Sequence, residues 1–161
     1  MKIEFWFPKE LPDTILTEKT EDGRPVWMLQ KDYHFTLNLR GLTIPAGFEF
    51  DYASVPRGLW NTFPPIEAKH CRASLVHDWF YAGEYFPRAF NDDVFLGIMA
   101  FYGVPQWKRN LMYAAVRIGG NFSYKRHTIK SVMNVRELSG ITDTQRPLYR
   151  EINHVPELLL P

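Results

Sequence analysis

At 161 residues, with 45% apolar and 16% aromatic side chains, the chain is long enough for one domain with a substantial core and too apolar to be disordered. A net charge of +1 excludes a global electrostatic pull toward nucleic acid or anionic membrane. The single cysteine, Cys71, excludes an internal disulfide, and no apolar run approaches the roughly 20 residues of a membrane span. The N-terminus, with Glu4 and Pro8, lacks the apolar stretch of a signal peptide.

In chain order, the first fifty residues read as short strands. Ile3 to Phe7 alternates weakly, Glu21 to Pro25 is a turn signal, and Val26 to Leu29 follows it. Tyr33 to Leu39 alternates clearly, which places Tyr33, Phe35, Leu37 and Leu39 on one face. Leu42 to Ile44 and Phe48 to Phe50 flank the Pro45-Ala46-Gly47 turn. Asp51 to Gly58 reads as a loop leaving this small, mostly antiparallel sheet. Three helices follow. The first runs from about Glu67 to Ala82 and stops at Gly83; the second runs from about Arg88 to Tyr102, between Pro87 and Gly103; the third runs from about Pro105 to Ile118 and ends at Gly119-Gly120. Beyond Asn121 the pattern weakens, with Val132 to Val135 reading as a strand. The expected fold is therefore α+β: a small antiparallel N-terminal sheet, a three-helix unit and an extended C-terminal arm. Residues 1–122 form the single domain and residues 123–161 the arm, which packs on the body or on a partner.

The strongest chemical signal is His77-Asp78-Trp79-Phe80-Tyr81, inside the otherwise apolar run from Ala73. Two ionisable groups there are costly unless paired, hydrogen-bonded or ion-bound. Neighbours on a helix point about 100° apart, so His77 and Asp78 address different partners. Tyr81 lies one turn on from both. A histidine general base needs its far nitrogen held by an acceptor, and Asp92, in Asp92-Asp93-Val94-Phe95 on the next helix, is placed to supply it. Asp78 is then turned toward the loop, where Asp51 and Ser54 can add oxygen ligands for a hard cation such as calcium. The bland alternative is a buried His–Asp pair that locks helix register, with Tyr81 satisfying the carboxylate. Asp51 followed by Ser54 and Pro56 is also an ordinary Asx-type turn. A dinuclear arrangement of His70, His77 and Asp78 is allowed by a shared helix face but matches no ligand signature. Asp93 is expected to be solvated and Cys71 to act as a small buried apolar residue. Lys125, Arg126, His127 and Lys130 read as a solvated surface, without the positive field of a nucleic-acid binder.

Four ordered stretches carry a resemblance: Phe50 to Arg57, Ala73 to Tyr81, Arg88 to Phe95, and Met112 to Gly120. Together they resemble the domain of unknown function 1353 family over a core of about residues 33–122. That resemblance implies an origin in bacteriophages or prophages and no established activity. The order His-Asp-x-x-Tyr then Asp-x-x-Phe is also similar, more distantly, to phospholipases of the A-two class. This second resemblance implies His77 as the base that activates water, Asp92 as its orienter, Tyr81 as support and Asp78 as a calcium ligand. The glycine-rich calcium loop of those enzymes is absent, so Asp51 through Pro56 would take its place.

Three function classes follow. The first is a virion structural or assembly component built around the His–Asp hairpin, present in the host cytoplasm during assembly and then in the virion. Its arm, ending in Leu158-Leu159-Leu160, would bind other phage structural proteins or another copy of the chain. The second is a phospholipase-like or other ester hydrolase. The third is an accessory phage protein acting on the host.

Overall fold

The computed structural model of the chain describes residues 4–21, 23–51, 69–126 and 128–139. Six strands come first: β1 Phe5–Trp6, β2 Thr14–Glu21, β3 Arg24–Leu29, β4 Tyr33–Leu37, β5 Arg40–Ile44 and β6 Glu49–Phe50. Four helices follow: α1 Cys71–Gly83, α2 Arg88–Phe101, α3 Gln106–Arg126 and α4 Ile129–Leu138. The α+β class is as the sequence predicts. The strands, however, form two three-stranded antiparallel sheets, ordered β1-β4-β5 and β2-β3-β6, rather than one. β2 has a largely exposed, charge-rich sequence with no apolar alternation, and its pairing with β3 is what makes it a strand.

In β4 the alternation is real: Tyr33, Phe35 and Leu37 are buried, with His34 exposed between them. The expected continuation to Leu39 fails for a backbone reason. Asn38 and Leu39 have φ of 48° and 65°, the left-handed pair of a two-residue type I′ hairpin turn, and Leu39 is turned out to 88% exposure. The inward face of β4 meets α1. Phe35 lies edge-on to Trp79, with ring centroids 6.3 Å apart, and stacks on Phe7 at 5.4 Å.

α1 is the centre of the molecule. It packs on α2, α4 and β6, and all of its residues except Asp78 and Ala82 are buried. A helix enclosed this way must satisfy its polar side chains inside the protein. Arg72 does so by donating to the carbonyls of Pro8, Lys9 and Glu10, at 3.3, 2.7 and 3.0 Å, and to the Tyr33 hydroxyl at 3.0 Å. Those bonds fasten the N-terminal segment to the helix.

The helical part differs from expectation in four places, the first being that α1 begins at Cys71 and not at about Glu67. The left-handed residue that closes α1 is Glu84, with φ of 44°, and not Gly83. Gly83 is needed because a Cβ there would run into the Tyr85 ring. The expected strand at Val132 to Val135 is instead the body of α4. Val132 and Val135 are three apart and share a helix face, and Thr128 and Ser131 form a reciprocal capping box at its start. The first part of the expected arm is thus packed structure. Arg136 donates to the carbonyls of Gly83 and Glu84, at 2.7 and 2.9 Å, and closes the end of α1. Lastly, α3 does not stop at Gly119-Gly120 but continues to Arg126.

The hairpin turn gives a direct test. Leu39→Gly removes the Cβ penalty at a positive-φ position and a solvent-exposed leucine. It is expected to stabilise the protein by about 1 kcal/mol, read as a higher urea midpoint at unchanged m-value.

Candidate functional site

α1 and α2 form an antiparallel hairpin, and their facing polar residues meet within it. His77 Nε2 lies 2.9 Å from Asp92 Oδ1, across the α1–α2 interface. Tyr81, one turn further along α1, donates its hydroxyl to the same oxygen at 2.7 Å. The other oxygen, Oδ2, accepts from Arg117 Nη1 of α3 at 3.1 Å and has Arg88 Nε at 4.0 Å. Asp92 is fully buried. The His77 ring is held between Tyr81 and Phe95, with centroids 4.2 and 5.0 Å away. Its other nitrogen, Nδ1, lies 3.7 Å from Asp78 Oδ1, beyond hydrogen-bond distance.

The electrostatics follow from this geometry. Burial alone would pull the His77 imidazole below its ordinary value, but Asp78 and Asp92 together override it and hold the ring above 6.5. For Asp92, burial pushes upward, and the donors His77, Tyr81 and Arg117 win, so the carboxyl sits below its usual range. Burial, reinforced by Asp92, raises the Tyr81 phenol and keeps it a hydrogen-bond donor. Asp51 forms an ion pair with Arg24 at 2.9 Å. Burial first, and then the nearby Asp78 carboxylate, nevertheless push Asp51 up to about 7, with Arg24 offsetting only part of the effect. Asp51 and Asp78 therefore share one electrostatic environment.

The family comparison covers the stretch that holds Asp51, His77, Asp78, Tyr81 and Asp92. The sequence model of the family described as "Protein of unknown function (DUF1353)" matches residues 27–116, from β3 into α3. The chain belongs to the DUF1353 family. A relative from Sinorhizobium fredii (strain NBRC 101917 / NGR234), the "Uncharacterized protein y4jT", is 35% identical over 105 residues, 62% of this chain. The chain spans only 30% of that relative's own length. No solved structure matches.

Of the residues singled out in the sequence, the DUF1353 core brings His77, Tyr81 and Asp92 into direct contact and sets Asp78 beside His77, with Asp51 close to Asp78. Ser54 lies outside the described residues. His70 is buried at the N-terminal edge of α1, and Cys71 is buried, as expected. Among the described residues no group of three or more His, Cys, Asp or Glu side chains is arranged to hold a metal ion. Asp78 and Asp51 would need further oxygens to reach the six to eight that a calcium ion takes. Nor is any described helix long and apolar enough to cross a membrane. Asp93 is exposed but not merely solvated, since it accepts from Tyr113 at 2.7 Å. Sequence reasoning missed Arg117 and Arg88. Arg88 was legible as the i−4 neighbour of Asp92. Arg117 was not, because its role depends on how α3 lies over α2.

The pair predicts a pH dependence with a definite sign. Asp92, being lowered, contributes stability that is present above the ordinary carboxylate range and lost as pH falls through its folded value. His77, being raised, contributes stability that is present below 6.5 and lost as pH rises through its folded value. Asp92→Asn breaks the buried pair and is expected to cost about 3 kcal/mol near pH 6 by urea denaturation. It should also flatten the acid limb of the stability profile. A limb unchanged by the substitution would assign acid unfolding to other carboxylates.

Proposed function

We propose that this DUF1353 domain is a hydrolase in which His77 is the general base that activates water against an ester. The observation that supports it is the division of labour on the imidazole. Nε2 is engaged by a buried, triply held carboxylate, while Nδ1 faces away from Asp92 without a hydrogen bond. With Nε2–H donated to Asp92, the lone pair is on Nδ1. A water there gives its proton to Nδ1 as its oxygen attacks the ester carbonyl carbon. Asp92 stabilises the imidazolium that forms, and the proton then passes to the departing alkoxide as the carbon–oxygen bond breaks. Tyr81 holds Asp92 in place. The order of groups along the chain, similar to that of A-two class phospholipases, supports the same assignment. It extends to Asp78, with Asp51 beside it, as ligands to a calcium ion completed by further oxygens. Calcium, when bound, would supply polarisation of the ester carbonyl.

A second reading is supported by the burial of the same groups. His77 is only 7% exposed and Asp92 not at all, so the cluster also suits a register lock in a virion or assembly component. One substitution separates the two. For the hydrolase, the wild-type protein cleaves members of a panel of p-nitrophenyl esters and mixed phospholipid vesicles, and His77→Ala abolishes that cleavage. For the lock, wild-type protein cleaves nothing in that panel, and the same change costs about 3 kcal/mol because a buried carboxylate loses its partner. Mass spectrometry of purified phage particles then checks the virion role. Calcium is checked by thermal shift: a melting temperature that rises with calcium concentration supports the ion, and a flat response removes it and leaves the His77–Asp92 base.

A further inference from the structure

α3 runs straight through two adjacent glycines, Gly119 and Gly120, although glycine weakens a helix interior relative to alanine. The two are not equivalent. A Cβ at position 119 would meet nothing within 4 Å. A Cβ at position 120 would stand 2.7 Å from the Tyr81 hydroxyl and 3.3 and 3.4 Å from two carbons of its ring. That hydroxyl is already committed to Asp92 Oδ1 at 2.7 Å, so Tyr81 cannot move aside and keep the bond. Arg117, three residues before Gly120 and hence on the same helix face, donates to the other oxygen of Asp92 at 3.1 Å. Arg88 in turn donates from Nη2 to the backbone carbonyl of Arg117 at 2.9 Å, and Tyr113 bonds Asp93 at 2.7 Å, so α3 is fastened to α2 along this face.

We propose that α3 is the positioning element of the His77–Asp92 pair, with Gly120 as the berth for Tyr81 and Arg117 as the clamp on the second carboxylate oxygen. Neither residue touches a reacting atom. Both act through Asp92, whose two oxygens are fixed separately: Oδ1 by Tyr81 and His77, Oδ2 by Arg117. A carboxylate held at both oxygens cannot rotate away from the imidazole. The functional consequence rests on the hydrolase reading above, whereas the positioning itself does not.

The test uses the full chain and needs no substrate. Gly119→Ala is expected to raise the melting temperature, because it fills open space and favours the helix. Gly120→Ala is expected to lower it, and to lose that effect in a Tyr81→Phe background, where the hydroxyl in the way is gone. In proton NMR, the low-field ring N–H of His77, assigned by its loss in His77→Asn, should shift in Gly120→Ala and in Arg117→Gln. It should return toward its wild-type position in Arg117→Lys, which a purely structural role for the guanidinium would not require. Gly120→Ala behaving like Gly119→Ala, or an unmoved His77 resonance in both variants, overturns the proposal. Where ester cleavage is measurable, both variants should lose kcat at nearly constant KM. Absence of cleavage in the wild type removes the hydrolase reading and leaves the melting and NMR outcomes to decide this one.

Discussion

Burial of most of α1 makes partners within the protein valuable to its polar groups, and the rest of the structure supplies many of them, although Ser74 Oγ and Asp78 Oδ2 find none among the described residues. Arg72 is met by the N-terminal carbonyls and Tyr33, Trp79 by Ser139 from the end of α4, and His77 and Tyr81 by Asp92. These bonds join α1 to the N-terminal segment, β4, the end of α4 and α2. The helix therefore works as an internal post whose polar residues select which segments lie against it. Its apolar residues supply the burial, and its polar residues supply the registry.

Asp92 carries the most of this traffic. A carboxylate with no exposure is tolerable only with several donors, and it has three, from two helices other than its own. Such satisfaction serves stability and chemistry alike. A base works best when its orienter is rigid, and a lock works best when its carboxylate is fully paired. His77 has Asp78 near Nδ1 as well as Asp92 at Nε2, an arrangement that suits both roles.

Much of this was legible in the sequence where a local rule dominates. The apolar run broken by His77 and Asp78, the i+4 spacing to Tyr81 and the Pro87 start of α2 each follow from helix geometry, and together they place Asp92 opposite His77. What was not legible depends on packing between segments distant in the chain. β2 is a strand only because β3 pairs with it, and Leu39 leaves its face because the hairpin must turn there. Gly119-Gly120 reads as a stop signal by propensity, yet the helix continues, because its contacts with α2 override the weak local preference. Val132 to Val135 was ambiguous for the usual reason: a short β-branched run suits either period until its neighbours are known.

The closure of α1 by Arg136 has a consequence for where this domain begins and ends. The stretch matched by the DUF1353 family model stops at residue 116, short of α4, and starts at residue 27, after the carbonyls that hold Arg72. A fragment trimmed to that stretch would leave the Arg72 guanidinium with Tyr33 but without its three carbonyl acceptors at one end, and two uncapped carbonyls at the other. The segments outside the matched stretch therefore act as bookends to α1.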